Sequence, residues 1–99
     1  CESSSAAVVL NERKILSRLD YPFLVNLQRA FQDSRKLYLL LDYLRGADLR
    51  YQFATASVSP SKKSVFLVLT GFIAACLLLA LEYTHSRKVI HKDVKPENI

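Results

Sequence analysis

The apolar positions at the start of the chain recur at helical spacing and predict a helix over residues 6–19. The serines at positions 3–5 could cap its N-terminus. Its apolar face consists of Val8, Ile15, Leu16 and Leu19. Glu12 falls inside this face, so we expect its carboxylate to need a cationic partner. Asp20-Tyr21-Pro22 is predicted to end the helix, because a residue before proline is pushed out of the helical region.

Two runs of aromatic and aliphatic residues follow, over residues 23–31 and 37–43. Between them, Gln32-Asp33-Ser34-Arg35 supplies turn-forming residues, so the pattern predicts an antiparallel hairpin. The second run is apolar at every position of Leu37–Leu41. That absence of alternation is typical of a strand covered on both faces.

The chain after the hairpin predicts a short helix and a loop. Residues 45–48 break the second strand, and residues 48–53 can form a helix with Asp48 near its N-terminus. Residues 54–63 have the composition of a loop. Further on, Val89-Ile90 is predicted to be a short strand.

The longest apolar run covers residues 65–81, interrupted by Thr70 and Gly71. Its length is at the lower margin for crossing a bilayer. A helix that is apolar all round can equally lie in a protein core. The break at Gly71 and the polar residues 82–85 favour a core helix, while a membrane span stays open as the alternative.

Length and composition are those of one folded domain or part of one. The chain has 99 residues, of which 51% are hydrophobic and 23% are charged, a globular rather than a disordered balance. The net charge of +5 does not predict a nucleic-acid partner, because the cations alternate with carboxylates except over residues 87–95. The chain opens without an initiator Met, so we expect it to be an internal piece of a longer protein.

Cysteine and histidine usage predicts neither a disulfide framework nor a metal site. Cys1 and Cys76 lack the spacing of a zinc site and are expected to be free thiols in a reducing compartment. His85 and His91 have no carboxylate or thiol at ligand spacing. No cleavable signal sequence is predicted.

The segment His91-Lys92-Asp93-Val94-Lys95-Pro96-Glu97-Asn98 combines an acid, an amine and an amide in one short loop. A carboxylate at Asp93 suits the orientation and deprotonation of an acceptor hydroxyl. An ammonium at Lys95 suits the neutralisation of phosphoryl oxygens. The neutral oxygen of Asn98 suits a divalent metal. A solvated, charged surface loop is the alternative, because all these residue types are common in loops.

This spacing resembles the catalytic loop H-R-D-x-x-x-x-N of the protein kinases. Further segments resemble the cyclic-AMP-dependent (AGC) group and the YANK-type kinases. They are Asn11–Leu16 (third helix), Tyr21–Leu27 (H-P-F-L-V-x-L entry to the fourth strand), Phe31–Asp33 (its exit), Leu37–Leu44 (fifth strand and hinge), Gly46–Tyr51 (Gly-Gly-Asp-Leu-Arg-Tyr) and Glu82–Ser86 (E-Y-L-H-S).

The resemblance implies an α+β, partial protein-kinase-like fold. It would comprise the third helix, strands four and five, the hinge, the long helix of the large lobe and the catalytic loop. Residues 1–99 would form an incomplete kinase domain, with residues 1–41 in the small lobe, 42–47 in the hinge and 48–99 in the large lobe.

The resemblance also implies roles for residues near the nucleotide. Glu12 would pair with a lysine that holds the α- and β-phosphates; a rim carboxylate paired with a nearby Lys or Arg is the alternative. Leu41 resembles the gatekeeper. Asp42 and Leu44 belong to the hinge whose backbone meets the adenine.

Two further acids have a functional and a structural interpretation each. Asp48 resembles the acid beside the ribose and the basic residues of a substrate, and a helix N-cap is its alternative. Glu97 could face an Arg-rich substrate or form an internal salt bridge.

The function implied is ATP- and Mg²⁺-dependent phosphoryl transfer to protein substrates with basic residues near the acceptor. Lys95 implies Ser or Thr as the acceptor. The expected location is the cytoplasm, with the nucleus second, and neither nucleic acid nor membrane is an expected partner. A pseudokinase or kinase-derived interaction module, and a small membrane-anchored protein, are the alternatives.

Several parts of a working kinase are not found in the sequence. Gly46 and Gly71 are the only glycines, residues 1–11 contain no lysine, and no Asp-Phe-Gly occurs. We therefore expect the 99 residues alone to be inactive. Lys92 stands where the protein kinases usually have an arginine beside the catalytic Asp, which in many of them binds a phosphate on the activation loop. A lysine offers a point charge rather than a bidentate fork, so weaker binding of that phosphate is predicted. Residues 54–71 form a segment longer than the resemblance requires.

Overall fold

The computed structural model describes residues 2–56 and 60–99, with side chains described from residue 7 onward. The elements are helix α1 (Glu2–Leu16), strands β1 (Leu27–Gln32) and β2 (Leu37–Leu41), helices α2 (Leu49–Ala56) and α3 (Pro60–Ser86), and a 3₁₀ turn, η1 (Pro96–Asn98). The mixture of helices with a two-stranded antiparallel sheet confirms the predicted α+β class.

Helix α1 begins earlier and ends earlier than predicted. It starts at Glu2, so the serines at positions 3–5 lie within it, and the prediction that they cap it is wrong. Its last turn tightens into shorter-range hydrogen bonds, with the Arg18 N–H donating to the Ile15 carbonyl at 3.0 Å. This tightening ends the helix at Leu16, before Asp20-Tyr21-Pro22 can do so.

The predicted hairpin is confirmed, with a shorter first strand. Strands β1 and β2 pair antiparallel, with Phe31 opposite Tyr38 and their rings stacked 5.1 Å apart. β1 begins at Leu27 because the Asn26 side chain accepts from the Tyr21 N–H and donates to the Tyr21 carbonyl. These two bonds keep residues 21–26 in a loop.

The prediction that β2 is covered on both faces is wrong for this part of the chain. Tyr38, Leu40 and Leu41 are 39%, 52% and 41% exposed. Within residues 2–56 and 60–99 the sheet has only two strands. An unbroken apolar run therefore does not by itself secure burial; a second covering layer is also needed.

Asp33 fixes the hairpin turn. Its Oδ1 accepts the N–H groups of Arg35 at 2.7 Å and Lys36 at 2.6 Å, and its Oδ2 accepts the Tyr38 hydroxyl at 3.1 Å. The two backbone N–H groups hold the pKa of Asp33 below its ordinary value of 3.8. The ionised carboxylate therefore stabilises the turn.

This predicts an acid-sensitive hairpin. Because the folded-state pKa of Asp33 lies below its unfolded value, the stabilisation is complete above pH 3.8 and disappears as the pH falls through the lowered pKa. An NMR pH titration should show the Lys36 amide signal changing over that acidic range. In the Asp33→Asn variant, which keeps an acceptor oxygen without the charge, this titration should be lost. An unchanged titration would contradict the assignment.

Asp48 caps helix α2, as the structural alternative predicted. Its Oδ1 accepts the Tyr51 N–H at 2.9 Å. The predicted loop over residues 54–63 is wrong at both ends, because residues 54–56 belong to α2 and residues 60–63 to α3. Its middle, residues 57–59, lies outside the described residues. Pro60 suits the first turn of α3, where a missing N–H costs no intrahelical bond.

Helix α3 runs through Gly71 without a break, so the predicted interruption is wrong. A single glycine costs a helix only about 1 kcal/mol relative to alanine, and the residues on both sides continue the helical pattern. A Cβ at Gly71 would meet nothing within 4 Å. The glycine therefore serves no close approach in this part of the molecule.

Helix α3 is long and apolar enough to cross a membrane by length and composition. Its most apolar 18-residue window has a mean hydropathy of 2.6 and is 6% buried. Core helices of soluble proteins pass the same test. Among its described residues, only Ala80 and Thr84 are buried. This part of the chain therefore does not itself supply the cover that either a core helix or a membrane span requires.

The end of α3 is set by a left-handed residue. Lys88 has φ 62°. The Val89 N–H donates to the Thr84 carbonyl at 2.8 Å, and the Lys88 N–H donates to the His85 carbonyl at 2.9 Å. This pair of bonds defines a Schellman motif, in which glycine is the usual residue at the left-handed position. The predicted strand at Val89-Ile90 is absent from this described segment, because the Val89 N–H closes the helix instead.

Candidate functional site

Two features shape the loop that follows α3. Lys92 is left-handed, with φ 71°, which costs a side-chain-bearing residue about 1–2 kcal/mol. The Asp93 N–H donates to His91 Nδ1 at 3.1 Å, bridging this residue. Pro96, with its fixed φ, then begins the 3₁₀ turn η1. The loop thus reverses direction between His91 and Asn98.

This reversal brings Asp93, Lys95 and Asn98 together. Lys95 Nζ lies 3.2 Å from Asp93 Oδ2. Asn98 Nδ2 donates to the Asp93 carbonyl at 2.9 Å and to Asp93 Oδ2 at 3.3 Å. The Asp93 and Lys95 side chains are 63% and 47% exposed, so a substrate can reach them. The predicted convergence is present, and the catalytic roles of the three residues stay predictions.

The oxygens of this loop fit part of a magnesium site. Because Asn98 Nδ2 donates to Asp93, the amide Oδ1 is the atom of Asn98 that can ligate a metal. Hard oxygen ligands, often one or two carboxylates with waters and phosphates, are what Mg²⁺ prefers. Within the described residues no cluster of three or more His, Cys, Asp or Glu could hold a metal. Asn98 and Asp93 would thus hold Mg²⁺ only together with further ligands.

A cleft of about 910 Å³ lies between α1, residues 22–26, α3 and the loop of residues 91–98. Glu12, Leu44 and Asn98 are among the residues that line it. Val8 and Leu16 line the same cleft, so Glu12 shares their face of α1, as predicted. The rim-carboxylate alternative is not observed, because Glu12 forms no ion pair with a Lys or Arg side chain of the described residues.

The predicted gatekeeper and hinge residues separate into two groups. Leu44 lines the cleft, whereas Leu41 pairs with Leu27 in the sheet and neither it nor Asp42 lines the cleft. The structure therefore brings Leu44, but not Leu41 or Asp42, to the cavity that contains Glu12 and Asn98.

Asp42 holds the predicted hinge to the start of β1. Its Oδ2 accepts the Asn26 N–H at 2.9 Å, its Oδ1 accepts the Gln28 side-chain amide, and its own N–H donates to the Asn26 carbonyl at 3.0 Å. The Asn26 N–H and then the Gln28 amide lower the pKa of Asp42. The carboxylate and the N–H of Asp42 therefore anchor the start of β1, and the prediction that the backbone of residues 42–44 meets the adenine stays a prediction.

The two acids with a functional and a structural interpretation both make internal contacts. Asp48 caps α2 through the Tyr51 N–H. Glu97 forms an ion pair and hydrogen bond with Arg50, which lowers the pKa of Glu97. Both contacts correspond to the structural alternatives, and binding of a basic substrate by either acid stays a prediction.

The comparisons with known proteins decide the family. A family model described as the protein kinase domain matches residues 2–99. The chain belongs to the protein kinase family. The predicted partial kinase-like fold is thereby confirmed, and the relatives described next confirm the resemblance to the AGC group.

This kinase chain is similar to curated protein kinases along most of its length. It is 39% identical over 89 residues to the cAMP-dependent protein kinase catalytic subunit of Dictyostelium discoideum, covering 90% of this chain and 13% of the relative. It is 37% identical over 98 residues to a RAC family serine/threonine-protein kinase homolog of the same organism, covering 99% and 21%. It is 44% identical over 88 residues to ribosomal protein S6 kinase alpha-2 of Homo sapiens, covering 89% and 11%.

The kinase chain thus spans about a fifth or less of the length of these relatives.

One contact between the loop after α1 and the end of α3 was not predicted. The Tyr83 hydroxyl accepts the Asp20 N–H at 3.0 Å. The Tyr83 ring stacks on Tyr21 at 4.6 Å, with the Arg87 guanidinium 5.3 Å from its centroid. The contact holds the loop after α1 against the end of α3. No sequence signal could have found it, because its partners lie some sixty positions apart.

Proposed function

We propose that the complete protein carrying this chain is a serine/threonine protein kinase, which transfers the γ-phosphoryl group of ATP to hydroxyls of protein substrates. The observation that supports this most is the contact of Asp93 with Lys95 and Asn98 within one loop. Acid, amine and amide are the groups that phosphoryl transfer from a metal-bound nucleotide needs. Membership of the kinase family supports the same conclusion.

The roles of Asp93 and Lys95 follow from which Asp93 oxygen already has a partner and which one can still bind a substrate. ATP and Mg²⁺, when bound, supply the transferable phosphoryl group and neutralise part of its charge. Lys95 and Asn98 both contact Asp93 Oδ2, whereas no described residue bonds Oδ1. Asp93 Oδ1 can therefore accept a hydrogen bond from the acceptor hydroxyl and take its proton. Lys95 adds a positive charge beside that position.

Ser or Thr as the acceptor follows from Lys95 through the family resemblance. A preference for basic residues near the acceptor would need Asp48 or Glu97 to exchange an internal partner for a substrate side chain. The proposed location is the cytoplasm, with the nucleus second. The free thiol of Cys76 is consistent with such a reducing compartment.

The proposal treats α3 as a core helix that other parts of the complete kinase domain cover. Its length and hydropathy favour one competing function, a membrane-anchored protein. Alkaline carbonate extraction of cells separates the two. Recovery of the complete protein in the soluble fraction is expected, and recovery in the membrane pellet would favour the membrane span.

A phosphorylation assay tests the proposed activity. The complete protein, incubated with ATP, Mg²⁺ and a library of Ser, Thr and Tyr peptides, should phosphorylate Ser and Thr, as detected by mass spectrometry. Removal of Mg²⁺ with EDTA should stop incorporation. Nucleotide binding without any transfer would instead support a kinase-derived interaction module. Phosphorylation of Tyr alone would contradict the acceptor assignment.

A further inference from the structure

Helix α2 contacts the catalytic loop on both sides of Asn98. Before Asn98, the Arg50 guanidinium pairs with the Glu97 carboxylate. After it, the Leu49 N–H donates to the Ile99 carbonyl at 2.9 Å. Consecutive residues of α2 thus hold the two residues that flank the Asn98 amide. Neither contact forms part of the Asp93, Lys95 and Asn98 group itself.

The 3₁₀ turn η1 has little internal support of its own. Its backbone bonds are Asn98 N–H to the Lys95 carbonyl at 2.9 Å and a long bond, at 3.4 Å, from the Ile99 N–H to the Pro96 carbonyl. Short 3₁₀ turns have poor hydrogen-bond geometry. The orientation of Asn98 therefore depends on contacts from outside the turn. Asp93 bonds the Asn98 amide itself, and α2 holds the two flanking residues.

Helix α2 is itself fixed at the end that makes these contacts. The Asp48 carboxylate and carbonyl accept the N–H groups of Tyr51 and Gln52, which secures the first turn. Arg50 lies in that first turn. It therefore extends from a capped part of the helix, and its reach to Glu97 is limited by side-chain freedom alone.

We infer that Arg50 is a positioning residue, whose ion pair with Glu97 orients the Asn98 amide against Asp93. The catalytic consequence rests on the proposed kinase function, whereas the positioning does not. Arg50 and Glu97 side chains are 73% and 35% exposed, so the pair adds little to overall stability. Its effect is on the geometry of one turn.

Charge variants of the complete protein test the positioning directly. Arg50→Met keeps most of the stem and removes the charge, and Glu97→Gln removes the opposite charge. Arg35→Met, at an exposed arginine of the hairpin turn, is the matched control. Hydrogen exchange of the Leu49 and Asn98 amides should become about two- to fivefold faster in the first two variants, the range of one exposed ion pair. It should be unchanged in the control.

The charge-reversed double variant, Arg50→Glu with Glu97→Arg, should return amide exchange to within about twofold of the wild type. Unchanged exchange in Arg50→Met would overturn the inference. So would a double variant that exchanges as fast as the single variants, because a specific pair should be rescued by reversal.

Steady-state kinetics separate positioning from substrate binding. Arg50→Met should lower kcat by about two- to fivefold with the KM for peptide unchanged. A lower KM for basic peptides with kcat unchanged would show that Arg50 masks a substrate-binding Glu97, and would overturn the positioning role. A wild type without phosphoryl transfer, but with the expected exchange pattern, would refute the proposed function and support the positioning.

Discussion

Replacing Asp93 by Asn in the complete protein should lower kcat by about 10²- to 10⁴-fold, the usual contribution of a positioned acid or base. The amide cannot take the proton of the acceptor hydroxyl, and it loses the charge that attracts Lys95 at 3.2 Å. ATP affinity should stay close to that of the wild type. Single-turnover phosphorylation and calorimetric titration with ATP measure the two quantities.

The matched control for this change is Asp33→Asn. The substitution exchanges the same two side chains, but Asp33 lies at the hairpin turn, where it accepts hydrogen bonds from the Arg35 and Lys36 N–H groups. Its kcat should stay within about twofold of the wild type, as expected of a residue outside the reacting group. Unchanged turnover in Asp93→Asn would refute the assignment of Asp93 as the base.

Replacing Asn98 by Ala should lower kcat by about 10²- to 10³-fold, which is the cost of losing one preorganised polar group at a reacting centre. The variant loses the oxygen available to Mg²⁺. It also loses the amide that donates to Asp93 at two positions, 2.9 and 3.3 Å away. Initial rates measured over a range of Mg²⁺ concentrations should show a higher requirement for the metal.

Asn98→Asp separates the two losses. It keeps an oxygen ligand but cannot donate to Asp93, and it places a second carboxylate beside the first. We expect the Mg²⁺ requirement to change less than in Asn98→Ala, while kcat stays low. Equal Mg²⁺ requirements in the wild type and in Asn98→Ala would contradict the assignment of Asn98 as a metal ligand.

The types of the main elements could be predicted from local patterns, whereas their ends could not. Helical spacing and the turn formers at residues 32–35 gave α1 and the hairpin. The end of α1 depends on the tight turn through Arg18, and the end of α3 on a left-handed Lys88. Lysine carries no signal for that conformation, because glycine usually occupies it. At Gly71 the sequence predicted a break that is absent, since one glycine costs too little to interrupt a long helix.

In the candidate site, contacts within one loop could be predicted, whereas contacts between separate elements could not. Asp93, Lys95 and Asn98 lie in one loop, so the match of their spacing to the kinase pattern predicted that they meet. The partners of Asp42 and Glu97 lie on other elements, at β1 and α2. Their positions depend on how those elements pack, which residue spacing does not record. The contacts of a candidate residue could thus be predicted only where its partners are close in sequence, and the functional role of each acid stays a prediction.

The bare surface of α3 determines how this protein has to be handled. Val68, Phe72 and Leu78 are 80%, 68% and 67% exposed. An apolar surface exposed to this extent promotes self-association in water. If the 99 residues were expressed by themselves, this surface would promote inclusion bodies and detergent-dependent solubility. Purification of the longer polypeptide therefore has to precede any assay of the catalytic loop.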